Sequence, residues 1–444
     1  MKHLISVVLL VCAALAGMAQ GIVDGSWEGL LTVGKNSAIR IVFNFKDDGK
    51  TVTLDSPDQG GYDIAGKVKY NSGDSVNITV ARLAVRFAGS VKDGKLSGIF
   101  RQGIAKMPLQ LSRKESVRRR PQTPQPPYPY TTEDVTFTSG GSGAGNATLA
   151  GTLTLPDKPL ESHPVVLMVT GSGLQNRDEE VFGHKPFAVI ADYLARQGIA
   201  SLRYDDRGTA SSTGDVTRAT THDFAADAAA GVKYLRQDSR FDKVGVLGHS
   251  EGATISFMIP SDFIVAVGAP ALRGDSILRY QSAQAMAAQG LDKEVIDEYG
   301  EALLRFYQTI ADKGAVYTAA HLDEICGWAD DPIHNTLKTN LKQIAASNNA
   351  WIFTFATMSP SKYITALGDK PALVLYGEKD VQVPPSLNEA PMRAMAPKAD
   401  VRVYPGLNHI MQHAVTGAVT EYGDIEETIS PEVLEAIASF ISNQ

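Results

Sequence analysis

The sequence predicts a small all-β domain followed by a larger α/β domain with a mostly parallel, doubly wound sheet. Two patterns along the chain lead to this prediction. Residues 22–114 alternate apolar and polar side chains with a period of two, as half-buried strands do. From Val135 onward, continuous apolar strands alternate with helical patterns, which indicates parallel β-α-β units.

The composition is typical of a globular protein with more than one domain. The chain has 444 residues, of which 43% are hydrophobic and 20% are charged, so it can bury a sizeable core. Its formal net charge of −7 argues against a nucleic-acid partner.

Residues 1–19 have the pattern of a secretory signal peptide. Lys2 precedes the apolar stretch LISVVLLVCAALAGMA, and Gly17 and Ala19 stand at −3 and −1 if cleavage precedes Gln20. This stretch is short for a membrane-spanning helix. We therefore expect a cleaved signal, a secreted or periplasmic protein and no stable membrane span. Cys326 is then the one cysteine left, which excludes an internal disulfide bond.

Residues 20–114 are predicted to form the small antiparallel β domain, either as a sheet or as a partly closed barrel. Its strand patterns include AIRIVFNF, SVNITVA and KLSGIFR, and turns such as Asp48-Gly49 and Asp93-Gly94 separate them. A packing module is favoured over a carbohydrate- or lipid-binding role, since a fold does not imply a function.

A proline-rich linker is predicted at residues 115–132, where ESVRRRPQTPQPPYPYTT cannot bury a core. The α/β domain follows at residues 133–444. From about residue 275 to 363 the pattern is helical, which is too long for one crossover between strands. We predict a helical cap there, over the carboxyl ends of the strands, where sites in such sheets gather.

The segment Gly248-His249-Ser250-Glu251-Gly252 fits the pattern G-x-S-x-G between a buried strand, KVGVLGHS, and a helix. A tight turn from strand to helix holds the serine in strained backbone angles and exposes its Oγ, and the glycines allow strand and helix to pass closely. The sequence therefore predicts Ser250 as a nucleophile.

A serine nucleophile needs a base and an orienting acid, which follow the serine in the order acid then histidine in this type of sheet. We predict His409 as the base, because it closes VRVYPGLNH after the last strand; His413 is the alternative. Asp380 is predicted as the acid, since it follows the strand PALVLYG, whereas Glu378 lies nearer the turn and is assigned a structural role.

The oxyanion donors are predicted to be two backbone amides. One is the Ser172 N–H in TGSGLQNRD, the loop after the strand PVVLMVTG, and the other is the Glu251 N–H at the start of the helix. The Glu251 side chain either is structural or contacts a polar group of the substrate. The sequence contains no metal-ligand cluster and no phosphate-binding loop, so we expect no metal and no cofactor.

Several spaced segments carry a family resemblance: VTGSGLQNRDE, LRYDDRGTASSTGD, DFAADA, GHSEG, YGEKDVQVP and the final NH. On these, residues 133–444 resemble an α/β-hydrolase of the serine-esterase and serine-aminopeptidase-like group, in particular secreted bacterial carboxylesterases with an extra N-terminal domain. The resemblance implies an α/β-hydrolase fold, with Ser250 as nucleophile, Asp380 as acid and His409 as base. Thr170-Gly171 stands where many relatives have His-Gly, a change that a backbone donor tolerates.

The predicted function is therefore a secreted serine hydrolase of carboxylic esters with short-to-medium acyl chains. Its partner would be a small-molecule or glycan-linked ester, and the oligomeric state stays open. Two alternatives remain: an aminopeptidase or thioesterase with the same triad, or a non-catalytic envelope- or sugar-binding protein. An aminopeptidase should carry an acidic amine-binding group in the cap, for which there are four candidates, Asp323, Glu324, Asp330 and Asp331.

Overall fold

The computed structural model describes residues 25–444, except 35–36, 48, 60, 73–74, 104, 114–119, 141–142, 289 and 348. The predicted signal peptide at residues 1–19 lies outside the described residues, as does its cleavage site. The described chain divides into two compact units. The first unit contains the described residues up to Arg120, together with residues 422–426. The second unit contains residues 121–421 and 427–444.

The first unit is built on a closed antiparallel barrel of strands β1 to β8. The strands are β1 Gly25–Gly34, β2 Ser37–Lys46, β3 Thr51–Ser56, β4 Gly61–Ser72, β5 Ser75–Val80, β6 Val85–Lys92, β7 Lys95–Gln102 and β8 Ala105–Arg113. Each strand pairs with the next, and β1 pairs with β8 through Trp27 and Arg113, which closes the ring. Short 3-10 turns at Pro57–Gln59 and Ala81–Leu83 join two of the strand pairs.

Side chains fill the interior of the barrel. Trp27, Phe43 and Phe87 are buried there, and the rings of Phe43 and Phe87 lie 5.4 Å apart between centroids. A barrel of eight strands is just wide enough for its own side chains to fill. The predicted all-β domain is thus confirmed, and its barrel is fully closed rather than partly closed. Closure depends on the pairing of the first and last strands, which the alternation of single strands does not encode.

The second unit is built on an eight-stranded, mostly parallel sheet in the order β16-β15-β14-β13-β11-β12-β10-β9. Its strands are β9 Tyr130–Ser139, β10 Ala147–Pro156, β11 Pro164–Val169, β12 Ala200–Tyr204, β13 Lys243–His249, β14 Ile264–Val267, β15 Ala372–Gly377 and β16 Asp400–Tyr404. β10 pairs antiparallel with β9 and β12, and the other pairs are parallel. Because β9 begins at Tyr130, residues 130–132 of the predicted linker already pair with β10.

Helices cover the sheet: α1 Pro186–Arg196, α2 Thr221–Arg236, α3 Glu251–Met258, α11 Pro385–Met395 and α12 Pro431–Ser442, with a 3-10 turn at Val419–Glu421. The run α4 to α10 comprises Gly274–Ala288, Lys293–Lys313, Ala315–Ala320, Leu322–Cys326, Pro332–Ala346, Ala350–Thr357 and Ser361–Thr365, and lies between β14 and β15. This helical interval has its own apolar core around Leu303, Phe306 and Leu341. The predicted α/β-hydrolase fold is confirmed.

Local sequence explains the elements that carry the site. Thr220, three residues before Asp223, is a capping signal that predicts a helix start in the sequence, and α2 begins there. The Asp223 carboxylate accepts hydrogen bonds from the backbone N–H and hydroxyl of Thr220 (3.0 and 2.8 Å). β11, β14 and β15 are buried along their whole length, as their continuous apolar runs predict. The carboxyl ends of β11, β13, β15 and β16 lead into the loops that contain the predicted site residues.

Candidate active site

The predicted nucleophile occupies a strained turn between β13 and α3. Ser250 has φ 54° and ψ −116°, a conformation that a residue with a Cβ adopts at a cost of a few kcal/mol. A Cβ at Gly248 would lie 2.1 Å from the Gly252 carbonyl oxygen, and a Cβ at Gly252 would lie 2.1 Å from the Val169 carbonyl oxygen. Both glycines are therefore required by backbone contact, which is the reason for the G-x-S-x-G spacing.

The predicted acid and base are in direct contact. Nδ1 of His409 lies 2.6 Å from Oδ2 of Asp380, and the two side chains are 4% and 0% exposed. The other oxygen of Asp380 accepts hydrogen bonds from the backbone N–H groups of Gln382 (2.8 Å) and Val383 (2.7 Å). An ionised carboxylate only accepts, so Nδ1 of His409 carries the hydrogen and Nε2 is left with a free lone pair.

The end of β14 brings the serine turn and the imidazole together. The Ser250 N–H donates to the carbonyl of Val267 (2.8 Å). Gly268 follows with φ 59°, and a Cβ there would lie 2.9 Å from Cε1 of His409. The serine turn and the imidazole of His409 therefore flank the same two residues. The assignment of the three residues as a catalytic triad remains a prediction.

The loop after β11, residues 170–177, lies against the serine turn. A Cβ at Gly171 would lie 3.3 Å from Cβ of Ser250. Buried carboxylates accept the loop's donors: Gly171 N–H to Glu179 (2.7 Å), Thr170 Oγ1 and Gln175 N–H to Asp206 (2.9 and 2.8 Å), and Arg177 N–H to Asp205 (2.8 Å). These bonds fix the loop with its glycine beside the serine.

The two predicted oxyanion donors flank that contact. Ser172 follows Gly171, and Glu251 is the first residue of α3, where an amide has no acceptor within the helix. This places both backbone groups beside the serine turn, while their role as donors stays a prediction.

The Glu251 carboxylate itself is buried and joins several elements. It accepts hydrogen bonds from Oγ1 of Thr221 (2.6 Å) in α2 and from Nε1 of Trp351 (2.9 Å) in α9. Burial raises the pKa of Glu251, and hydrogen bonds from Thr221, Trp351 and Ser172 act against that rise. Of the two roles considered for this side chain, its contacts are those of a structural group.

Comparison with known proteins finds sequences similar to this chain. The family Hydrolase_4, described as serine aminopeptidase S33, matches residues 185–301, a span that contains Ser250 but neither Asp380 nor His409. The esterase EstD of Thermotoga maritima is 24% identical over 339 residues, covering 72% of this chain and 67% of its own. The chain has the α/β-hydrolase fold, and its sequence is similar to proteins of the serine-esterase and serine-aminopeptidase-like group.

Solved structures similar to this α/β-hydrolase include an esterase of Pyrococcus furiosus, with a TM-score of 0.43 and 15% identity over 74% of this chain and 99% of that one. Another is a proline iminopeptidase of Mycobacterium smegmatis, with a TM-score of 0.42 and 18% identity over 70% of this chain and 98% of that one.

The alternative site residues of the hydrolase lie in other environments. The His413 side chain is 55% exposed, and its Nδ1 contacts Glu427 at 2.9 Å rather than Asp380. Glu378 is exposed and accepts a hydrogen bond from the backbone N–H of Gly406 (2.8 Å), consistent with its structural assignment.

Three of the four acidic cap residues considered for amine binding, Asp323, Asp330 and Asp331, make contacts within the cap. Asp323 pairs with Lys338 (2.6 Å) and is 88% exposed, and Asp331 accepts from the first N–H groups of α8. Asp330 accepts from the side-chain amide of Asn335 (2.7 Å). These contacts are typical of helix ends and solvated surface pairs.

Sequence reasoning missed two groups of the hydrolase that touch the site, buried Glu179 and partly buried Trp351. Glu179 binds the Gly171 N–H and Nδ1 of His249 (2.8 Å), and Trp351 reaches Glu251 from the cap. The segment NRDEE after the glycine loop contains three acidic residues, but its sequence does not indicate which of them is buried.

In the described part of this hydrolase, His, Cys, Asp and Glu side chains form no group of three or more that could hold a metal ion. The helices of that same part include none with the length and apolarity needed to cross a membrane.

Proposed function

We propose that this α/β-hydrolase is a secreted enzyme that cleaves carboxylic esters with short-to-medium acyl chains through a Ser250–His409–Asp380 triad. One observation carries the proposal: the buried contact of 2.6 Å between His409 and Asp380 adjoins a serine held at φ 54°. This arrangement activates a serine hydroxyl, which alone is a poor nucleophile at neutral pH.

Acylation begins when Oγ of Ser250 attacks the carbonyl carbon of the ester. The hydroxyl proton passes to Nε2 of His409, and Asp380 stabilises the resulting imidazolium. The carbonyl electron pair moves to the oxygen, which accepts hydrogen bonds from the Ser172 and Glu251 amides. As the tetrahedral intermediate collapses, the C–O bond to the alcohol breaks, and the leaving alkoxide takes the proton from His409.

Deacylation repeats these steps with water. Nε2 of His409 accepts a proton from a water molecule as its oxygen attacks the acyl carbon. Collapse of the second intermediate breaks the bond to Oγ, which regains its proton from His409. The carboxylic acid leaves and the serine is restored. All of these steps use groups of the chain itself and water, so the proposal includes no cofactor and no metal.

The ester substrate class is supported by the relative from Thermotoga maritima, which is named an esterase. The family description names a serine aminopeptidase, which makes a peptidase with the same triad the second candidate. Asp323, Asp330 and Asp331 favour the esterase of the two, because they contact groups of the cap and an amine-binding carboxylate should face the site.

A substrate panel tests the proposal. Purified mature protein is assayed with p-nitrophenyl esters from acetate to laurate, a thioester and aminoacyl p-nitroanilides. We expect the highest kcat/KM on an acetate-to-octanoate ester and at least about 100-fold less on the anilides, since the same acyl chemistry then has a poorer leaving group and no amine site. Preferred cleavage of anilides would establish the peptidase instead.

Secretion rests on residues 1–19 alone and is tested separately. Expressed with its native N-terminus, the protein should appear in the periplasm or medium, and sequencing should begin at Gln20. A cytoplasmic protein that retains Met1 or Lys2 would contradict this part of the proposal.

A further inference from the structure

His249, the residue before the nucleophile, is held at both ring nitrogens. Its Nδ1 lies 2.8 Å from Oε1 of Glu179, and its Nε2 lies 3.1 Å from the backbone carbonyl oxygen of His409. The side chain of His249 is 12% exposed and that of Glu179 is 5% exposed. His249 and Glu179 are therefore a buried pair of titratable side chains beside the predicted base, outside the steps described above.

Both partners of the His249 ring are acceptors. A carbonyl oxygen has no hydrogen to donate, so Nε2 must donate to His409. Oε1 of Glu179 also accepts from the Gly171 N–H (2.7 Å). An ionised carboxylate has no hydrogen to donate, so Nδ1 of His249 donates as well. A ring that donates from both nitrogens is an imidazolium.

The electrostatic surroundings agree with this charge state. Burial lowers the pKa of His249, but the Glu179 charge and hydrogen bond, the His409 carbonyl and the Asp380 charge together raise it above its usual value. Glu179, Asp380 and His409 are the titratable groups that face the ring. The remaining wall is apolar and encloses a cavity of about 20 Å³, lined among others by Phe187, Leu247, Ile410 and Met411.

The imidazolium thus links three loops of the site. Glu179 ties it to Gly171 of the predicted oxyanion loop, its own backbone precedes Ser250, and its Nε2 holds the main chain of His409. The rings of His249 and His409 lie 4.6 Å apart between centroids. A neutral imidazole carries one hydrogen, so loss of the proton breaks one of these two connections.

We propose that protonated His249, paired with Glu179, is a positioning residue that fixes the oxyanion loop and the His409 loop relative to Ser250. The role rests on the proposed function, because it sets the geometry of that reaction. His249 does not touch the substrate. Because Glu179 stabilises the proton on His249, the ion pair persists at neutral pH. As the pH rises, His249 loses this proton, the ion pair is broken, and kcat falls.

Spectroscopy tests the charge without relying on activity. Protein labelled with ¹⁵N-histidine is titrated, and the His249 signals are assigned by their absence in His249→Gln. We expect two protonated ring nitrogens at neutral pH, and deprotonation at a higher pH than the ordinary pKa of an imidazole predicts. A neutral His249 ring at pH 7 would overturn the proposal even if every variant below failed to fold.

Kinetics test the role. Glu179→Gln keeps the shape and one acceptor but removes the charge, so the alkaline limb of kcat should move down by about one pH unit or more. Glu180→Gln, its neighbour with a side chain 38% exposed, is the matched control and should keep the wild-type profile. An unchanged profile in folded Glu179→Gln would refute the positioning role, whereas an inactive wild type would refute the proposed function itself.

Discussion

At the scale of single residues, the carboxylate of Asp380 is held in place by hydrogen bonds that both of its oxygens accept. Oδ1 binds the backbone N–H groups of Gln382 and Val383, and Oδ2 binds Nδ1 of His409. An amide at this position has one accepting oxygen, so its NH₂ group would face Nδ1 and favour the wrong tautomer of the imidazole.

Asp380→Asn should therefore lower kcat by about 10³- to 10⁴-fold while the fold persists. Steady-state kinetics on a p-nitrophenyl ester measures the loss. Glu378→Gln is the control, since that exposed side chain accepts from the Gly406 N–H and should change kcat by less than about threefold. Comparable losses in both variants would mean that Asp380 is not the orienting acid.

The glycines of the serine turn are a second test at this scale. In Gly252→Ala the new Cβ would meet the Val169 carbonyl oxygen at 2.1 Å, so strand and helix must separate. We expect the free energy of unfolding to fall by about 1–3 kcal/mol or more. Gly140→Ala is the control, because a Cβ at Gly140 has no heavy atom within 4 Å. Chemical denaturation of the two variants gives the comparison, and equal stabilities would argue against the close contact.

Some site residues could be predicted from the sequence and others could not. Ser250 was predicted because the turn geometry demands glycines at fixed spacing, and Asp380 and His409 because they follow particular strands. Glu179 and Trp351 were missed, since their partners lie 70 and 100 residues away in the chain. Contacts of that range depend on how loops meet in space, which no local pattern records.

At the scale of elements, one hydrogen bond joins the cap to the nucleophile helix. Nε1 of Trp351 in α9 lies 2.9 and 3.0 Å from the oxygens of Glu251 at the start of α3. Trp351 also stacks on Phe355, one turn further along the same helix. The pair therefore fixes where α9 lies relative to the serine turn.

Trp351→Phe removes that donor and leaves a buried carboxylate less satisfied, at a cost of about 1–3 kcal/mol. We expect kcat/KM for esters to fall about tenfold, a change whose free-energy equivalent lies within that range. The p-nitrophenyl ester series measures it. Trp328→Phe is the matched control within the cap, since its Nε1 has no hydrogen-bond partner among the described atoms. If both variants lose activity equally, the effect belongs to packing and not to the Glu251 contact.

Element type was largely predictable, because strand and helix periods differ and capping leaves a local signal. The apolar runs predicted β11, β13 and β15, and Thr220 with Asp223 predicted the start of α2. Closure of the barrel was not predictable, since it depends on the pairing of β1 with β8, in which Trp27 lies opposite Arg113, 86 residues further along the chain.

At the scale of the whole molecule, buried carboxylates concentrate around one loop and link stability to pH. Asp206 is buried, and burial raises its pKa to about 8 even though Thr170 and Gln175 donate to it. Nearby Glu251 and Glu179 add to the rise. The folded state therefore keeps a proton on Asp206 that the unfolded chain has already released.

The sign of the pH dependence follows from this difference. The protonated Asp206 side chain makes its full contribution to the free energy of unfolding below pH 3.8, the ordinary pKa of its carboxyl group. This contribution is lost as the pH rises to about 8. Asp206→Asn does not titrate. The free energy of unfolding of the wild type relative to Asp206→Asn should therefore decrease between those values and level off above them. Denaturant titrations across this range measure it, and a constant difference would contradict the raised pKa.

The proposed reaction depends on Ser250 as the nucleophile of an ester hydrolase. The most direct measurement is kcat on p-nitrophenyl butyrate for the wild type, Ser250→Ala and Ser256→Ala. Ser256 is the control, a buried serine of α3 whose hydroxyl donates to the Ala253 carbonyl. We expect turnover by the wild type, near-equal turnover by Ser256→Ala, and a loss of at least about 10⁴-fold in Ser250→Ala. Undiminished turnover by Ser250→Ala would contradict this role of Ser250.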